Sequence, residues 1–372
     1  MATLAESVLQ FGSGRFLRAF ADLFIHEARQ SGQSIGRVVI VQSTGNDRVK
    51  LFKQQKGSYE VHIRGLQDNE HINETVKVES ISRVLSAKED WDSVLAVGRN
   101  PATEIILSNT SEIGYHVAES EPLDHSPPVS FPSKLLSVLH DRYENGGAPV
   151  TVIPCELIDD NAAVLRRIIQ ALGRQLQLDH SFFEWMEEQV VWLHTLVDRI
   201  AIEPTSGYPN PQGDGLLTLT EPFAFWALED QPNAHSFIQH PAIVRTKDVR
   251  SYALRKVRLL NGAHTALVCR AIPMGIKTVR EAVDHPETGP WLRDLMLEEL
   301  VPALPDDVIE PRAFAEDCIE RFRNPYLEHR LDSIAVEHKT KVKLRLKPSL
   351  DAYIQKFQSK PPILCSILNR KK

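Results

Sequence analysis

The strongest constraint on how this chain folds lies in residues 7–42. "SVLQFG" and "GRVVIVQS" are short, uninterrupted apolar runs, the second continuous from Val38 to Val41. Runs of that kind suit strands buried on both faces, as in a parallel sheet covered by helices. Between them, "GSGRFLRAFADLFIHEAR" places Phe16, Leu17, Phe20, Leu23 and Phe24 on one face of a predicted helix. The turn into that helix reads Gly12-Ser13-Gly14-Arg15-Phe16. Gly12 permits a tight turn, and Gly14, lacking Cβ, lets a diphosphate approach the backbone N–H groups at the helix start. The third glycine of the usual pattern is missing, so the turn alone reads either as a nucleotide cradle or as an ordinary bend. Its place between strand and helix, at the front of an α/β domain, favours the cradle. Arg15 and Arg18 fall on the first helical turn, where they reach phosphate or lie solvated on the surface.

Strand-like and helix-like segments continue to alternate. "YEVHIRGL" and "TVKVESISRVL" read as strands of an inserted hairpin, "WDSVLAVGRN" and "PSKLLSVLHDRYENGG" as helices, and "TEIILSNTSEIG" and "PVTVIPCELIDDN" as strands with polar exits. Ligands bind beyond the carboxyl ends of such strands, which singles out Asn109, Thr110 and Glu112, with Glu156 and Asn161 in the same kind of position. "SFFEWMEEQVVWLHTLVDRI" is predicted as one long amphipathic stretch ending at Asp198-Arg199, with Trp185, Val191, Trp192 and Leu196 in the core. The Pro- and Gly-rich segment 203–215 breaks regular structure. From about residue 245 the pattern becomes helical, at 248–271, 290–301, 311–322, 326–338 and after Pro348. The expected organisation is therefore an α/β Rossmann-type domain over 1–245 and a mainly helical domain over 246–372.

Composition narrows the class. A chain of 372 residues is too long for one ordinary core. A net charge of −6 lacks the basic stripe of a nucleic-acid binder. No apolar run approaches the ~20 residues of a membrane span, and the first residues lack the basic and apolar regions of a secretory signal. Four scattered cysteines without paired spacing suggest reduced thiols in a cytoplasmic protein, and no zinc or other metal site. The expected partner is thus a small molecule. The exit of the second strand, Gln42 to Asp47, offers an acid only at Asp47 with Arg48 beside it, which leaves NAD and NADP both open.

"KVRLLNGAHTAL" (256–267) sets Lys256, Asn261 and His264 in an otherwise apolar run. On an α-helix Lys256 and His264 fall within ~80° of one another, and Asn261 lies ~60° beyond, so all three face one broad cleft. Gly262 costs roughly 1 kcal/mol against Ala in mid-helix, which suggests a close approach there. Each residue singly reads as surface Lys, capping Asn or core His. Together they read as a functional set, the lysine lowered toward general-base range by burial and by Arg255 and Arg258.

These segments resemble the mannitol dehydrogenase family of long-chain polyol and sugar-acid dehydrogenases. The resemblance rests on "VLQFGSGRFLRAF", "LSNTSEIGYH", "IPCELIDDN", "TLVDRI", "KVRLLNGAHTALV" and "ERFRNPYLEHRL", in that order over nearly the whole chain. It implies an N-terminal Rossmann domain, a helical C-terminal domain, and a cleft between them for NAD and an open-chain sugar acid. It also implies metal-independent interconversion of a ketouronate and a sugar acid, tagaturonate and altronate, with fructuronate or an uncharged ketose as the alternative substrate and a non-catalytic nucleotide sensor as the alternative class. Carried onto this chain, the family's catalytic lysine falls on Lys256, its oxyanion asparagine on Asn261, its substrate histidine on His264 and its substrate-contacting aspartate on Asp198. Polyol-directed relatives carry Asp-Asn-Leu after the cysteine, whereas Cys155 is followed here by Glu156-Leu157, so Asn161 or a backbone donor must replace the second oxyanion asparagine. A sugar acid also brings a carboxylate that needs a cation. Arg321, Arg323, His329, Arg330 and Lys339 are the candidates, Arg321 or Arg323 ahead of Lys339 because an arginine can bind it bidentately.

Overall fold

The computed structural model describes residues 5–67, 70–110, 112–118, 121 and 126–369. The chain forms two compact units, one of residues 1–62, 74–220 and 224–249, the other of residues 63–73, 221–223 and 250–372.

The first unit is built on a six-stranded sheet of β1 (Glu6–Phe11), β2 (Arg37–Gln42), β5 (Ile81–Ser86), β6 (Ile105–Ser108), β7 (Val150–Pro154) and β8 (Val190–Trp192). Its order is β5-β2-β1-β6-β7-β8, and every pair is parallel. Counted along the chain this is the 3-2-1-4-5-6 order of dinucleotide-binding sheets, whose switch point lies between β1 and β6. The apolar runs of β1, β2 and β6 are buried on both faces because helices cover the sheet on either side. Val39, Val41, Ile106 and Val152 pack there with Val94, Leu135, Leu139, Leu165 and Ile169 from the helices.

Three elements depart from expectation. The predicted helix after the glycine turn breaks into Arg15–Arg18 and Ala21–Gln30, because Arg18 turns inward and Phe20 leaves helical backbone (φ −134°). "TVKVESISRVL" is two strands: β4 (Glu70–Val78) pairs with β3 (Tyr59–Gln67), and β5 enters the parallel sheet. The long stretch 181–200 is helical only to Gln189, then becomes β8 and β9 (Thr195–Asp198). Trp185, Trp192 and Leu196 are buried as expected, and Val191 is half-buried. The β-branched residues from Val190 onward fit a pleated sheet better than a helix. β10 (Ala201–Ile202) and β11 (Thr218–Thr220) extend the β3–β4 sheet, while β12 (Phe225–Glu229) and β13 (Ile243–Thr246) form a third sheet with β9. The Pro-Gly segment between β10 and β11 is tied down by Asp214, whose carboxylate accepts from the backbone of Glu60 (2.6 Å) and Leu216 (2.7 Å).

The second unit is helical, with one core of Leu259, Leu260, Leu267, Val283, Leu295, Leu300, Phe314 and Phe322 among others. The helix from Arg250 to Ala271 contains a π-helical turn over Lys256–Asn261. The segment expected as a helix over 326–338 is helical only at Leu331–Ile334, and a separate helix, His338–Arg345, follows. No helix among the described residues is long and apolar enough to cross a membrane.

Arg142 shows how the first unit pays for a buried cation without an acid. Its guanidinium, fully buried, donates to the carbonyls of Ala148 (2.7 Å), Gly98 (2.5 Å), Asn100 (3.1 Å), Thr103 (3.0 Å) and Pro149 (2.8 Å). It thereby ties the end of helix Trp91–Arg99 to the segments entering β6 and β7. Burial lowers its pKa to about 10. Arg142→Met should cost about 3 kcal/mol or more in urea unfolding, since these carbonyls lose their donor, and Arg142→Lys should recover only part. A change below about 0.5 kcal/mol for Met would contradict this role.

Candidate functional site

In the first unit the switch point brings the ends of β1 and β6 together. Gly12 has φ +125°, and a Cβ there would stand 2.8 Å from the carbonyl oxygen of Asn109. Glycine is therefore obligatory at Gly12 both for its backbone and for space. Gly14 differs: its backbone is extended (φ −70°), and nothing lies within 4 Å of where a Cβ would be. The fold has no need of glycine at Gly14, and its bare face opens at a helix N-terminus, as a diphosphate cradle requires.

A buried polar box holds the turn from beneath. Arg18 donates to the carbonyl of Ser13 (2.7 Å) and to Thr218 Oγ1 (3.1 Å), and Gln10 donates to the carbonyl of Gly12 (3.0 Å). Arg18 thus braces the turn instead of reaching outward, while Arg15 is exposed and donates to the Ala201 carbonyl at 3.1 Å. Ser13 is buried, and Phe16 stacks on Phe20 at 4.8 Å. Asp22 lies at the bottom of the box, accepting from Gln10 (3.4 Å) and Tyr59 (3.3 Å). Burial pushes its pKa up to about 7, against the smaller pull of these bonds and of Arg18.

At the exits of β6 and β7 the expected ligand residues serve one another. Asn109 Nδ2 donates to the Cys155 carbonyl (2.7 Å), and Thr110 donates to Glu156 through both its backbone N–H (2.9 Å) and its hydroxyl (3.2 Å). Glu112 opens a short 3-10 turn ending at Tyr115. Asn161 is buried and occupied: its amide donates to the carbonyls of Pro154 (3.0 Å), Glu156 (3.2 Å) and Thr195 (3.2 Å), and its oxygen accepts from Ala162 N. It is a structural knot, which removes it as the replacement oxyanion donor. Asp198, buried, ends β9 opposite Phe225 of β12.

In the second unit Lys256 opens the π turn, Asn261 closes it, and His264 lies on the helix that follows. Lys256 and His264 are buried and Asn261 is half-buried. The wider turn changes the angular spacing reckoned for a regular α-helix, and such π turns occur often at functional sites. The close approach expected at Gly262 is not found: a Cβ there would meet Leu346 and Leu300 at ordinary contact distances of 3.6 and 3.7 Å. His264 packs its ring on Phe322 (4.4 Å) and edge-on to His329 (4.7 Å), yet its Nε2, buried, has no hydrogen-bond partner among the described residues. Burial, then His329, Arg321, Arg345 and Lys256, hold its pKa well below the usual histidine range. His329 is lowered to about 4 by burial and by Arg321.

The arginines divide. Arg321 is buried and gives its fork to buried Glu221, Nε to Oε2 at 2.9 Å and Nη2 to Oε1 at 2.8 Å, beneath the ring of Phe223. Arg323 is exposed, 3.8 Å from Asp284, and does not join His264. Glu221 carried no signal in the sequence, since a lone acid beside a proline has no pattern to reveal it. Among the described residues no cluster of His, Cys, Asp or Glu is arranged to hold a metal ion.

Two family models cover this arrangement end to end: the mannitol dehydrogenase Rossmann domain over residues 6–239 and the mannitol dehydrogenase C-terminal domain over 248–368. The chain belongs to the mannitol dehydrogenase family. It is a dehydrogenase acting on CH–OH groups, as the family's curated members are. An altronate oxidoreductase of Bacillus subtilis is 34% identical over 371 residues, 94% of this chain and 75% of that protein. One from Halalkalibacterium halodurans is 33% identical, covering 97% and 73% respectively. Among solved structures, Pseudomonas fluorescens mannitol 2-dehydrogenase in ternary complex with NAD and D-mannitol superposes with a TM-score of 0.83 at 22% identity, over 99% of this chain and 78% of that one. A substrate-free D-sorbitol dehydrogenase gives 0.82 at 22%, over 95% and 77%. These likenesses establish the shared family fold.

Two predictions follow from the turn. Gly12→Ala should destabilise the protein by about 2 kcal/mol or more, through both strain and the Asn109 contact, whereas Gly14→Ala should leave chemical unfolding unchanged within about 0.5 kcal/mol. Equal losses at the two positions would contradict the distinction. For Asp22, whose native pKa of about 7 exceeds its ordinary 3.8, the native state binds the proton more tightly. Its contribution to stability is full below the lower value and is lost as pH rises through the upper one. Asp22→Asn should therefore gain on the wild type in melting temperature across that window and hold a constant lead above it; a pH-independent difference would disprove the shift.

Proposed function

We propose that this protein interconverts a ketouronate and its sugar acid, tagaturonate and altronate, using NAD. Support comes from the curated relatives named altronate oxidoreductase, and one observation in the chain carries the reading: the buried Nε2 of His264, which has no hydrogen-bond partner among the described residues. Burial keeps this imidazole neutral, and a neutral ring with an unoccupied nitrogen among the described residues can meet a substrate oxygen there.

The residues present fit a dinucleotide. The open face of Gly14 at a helix start, the tight Gly12 turn and the Asn109-Thr110-Glu112 exit stand at the switch point where such cofactors bind. Ser13, Arg15 and Phe16 complete the turn. Arg48 at the exit of β2 is drawn to Glu203 at 3.3 Å, and Asp47 beside it is exposed, an environment suited to an unphosphorylated ribose. A bound nicotinamide supplies hydride exchange with the substrate carbon.

The chain's own groups handle the proton and the oxygen. Lys256, neutral, takes the hydroxyl proton at Nζ during oxidation and, as the ammonium, returns it to the forming alkoxide during reduction. His264 donates from Nε2 to that oxygen and Asn261 adds a second donor, the kind of preorganised stabilisation that dominates such reactions. Asp198 orients a neighbouring substrate hydroxyl. His329, edge-on to the His264 ring at 4.7 Å, is kept as the substrate-side candidate. Arg321, its fork engaged by Glu221, and the exposed Arg323 are left outside the proposal.

The test is oxidation of NADH with tagaturonate, fructuronate and fructose. The highest kcat/KM is expected with tagaturonate, and fructose should trail both uronates. A preference for fructose would overturn the sugar-acid reading, and a preference for fructuronate would reassign the substrate within it. Lys256→Ala should lower kcat by about 10³-fold or more while changing the KM for NADH less than about threefold. Near-normal turnover in that variant would end the proposed proton path.

A further inference from the structure

The buried Glu156 has no place in the chemistry above. Its carboxylate takes a full set of donors. Oε1 accepts from Thr110 N (2.9 Å) and Thr110 Oγ1 (3.2 Å), while Oε2 accepts from Ser108 Oγ (3.0 Å) and Tyr115 OH (3.0 Å). All four donors come from the exit of β6, and Glu156 itself stands at the exit of β7, 2% exposed. No Lys, Arg or His among the described residues lies within ion-pair distance of it. Burial raises its pKa, opposed by the bonds from Thr110, Tyr115 and Ser108.

A carboxylate buried without a cation is costly, and filling the space alone would be served as well by an apolar side chain. What the carboxyl group adds is direction, since each oxygen accepts two hydrogen bonds that an apolar side chain cannot. Those bonds converge on one short segment. Asn109, between two of the donors, is itself fixed by Asn109 N to the Phe11 carbonyl (3.1 Å) and by its side chain to Cys155. Its carbonyl is the atom that leaves no room for a Cβ at Gly12. A continuous set of contacts thus runs from Glu156 through Thr110 and Asn109 to the glycine turn.

We propose that Glu156 is a positioning residue for the dinucleotide: it fixes the β6 exit against the Gly12 turn and so sets the width of the crevice that takes the cofactor. The proposal rests on the cofactor reading above. Glutamine at 156 keeps an oxygen for the two Thr110 donors and turns its amide to the hydroxyls of Ser108 and Tyr115, which can rotate to accept. Alanine keeps neither contact.

The experiment measures the dissociation constant of NADH by quenching of tryptophan fluorescence, with steady-state kinetics and melting temperature, for the wild type and its variants. Glu156→Ala should raise the Kd and KM of NADH about tenfold or more, with the KM for the ketouronate and kcat at saturating NADH each changed less than about threefold. Glu156→Gln should restore NADH affinity to within about threefold of wild type. If the alanine variant does not fold, the double variant Ser108→Ala/Tyr115→Phe removes both donors to Oε2 from the opposite side and must show the same selective weakening. Unchanged NADH affinity in the alanine or double variant overturns the role of Glu156 while leaving the cofactor reading intact. So does a proportional fall in all parameters with no rescue by glutamine. A wild type that binds neither NADH nor NADPH overturns the cofactor reading and this proposal with it.

Discussion

The contact between the Gly12 turn and the carbonyl of Asn109 is the constraint on which the first unit's working face depends. Parallel strands β1 and β6 lie side by side, so the segments leaving them must cross or part at the switch point. They stay close because Gly12 has no Cβ to keep them apart. Everything nearby serves that closeness: Gln10 and Arg18 pin the turn from below, and Glu156 pins the β6 exit from the side. The consequence is a rigid crevice edge at the N-terminus of a helix, where backbone N–H groups and the open face of Gly14 are presented together.

Buried charge is handled differently in different places, and the differences follow function. Arg142, far from the crevice, spends its donors on carbonyls and acts as a cross-link. Arg321 and Glu221 neutralise one another in a bidentate pair, so removing either alone would strand the other, at a cost of about 3–5 kcal/mol. His264, packed on Phe322 and His329, is left with a buried nitrogen that has no partner among the described residues.

The order of strands and helices in the first unit, the glycine turn and the helical segment that carries Lys256, Asn261 and His264 were legible because each depends on local pattern: apolar runs and glycine spacing. Other features depended on partners distant in sequence. Arg18 looks like a phosphate ligand until Thr218 and the Ser13 carbonyl are seen to hold it inward. Arg321 looks like a carboxylate receptor until Glu221 takes its fork. The turn at Phe20 and the change to β8 at Val190 were hidden because a short apolar run has no periodicity that separates a buried helix from a buried strand. The π turn at Lys256–Asn261 has no signature in residue type, although it alters how the whole stripe faces.

The central claim is that a nicotinamide dinucleotide seats at the β1–β6 switch point. Hydrogen–deuterium exchange of the wild-type protein with and without saturating NADH tests it most directly, because it reports where backbone amides lose exchange without presuming a substrate. The account predicts that protection on binding is concentrated in peptides spanning residues 9–19 and 106–116. Binding accompanied by protection elsewhere, with both of these segments unchanged, would contradict it.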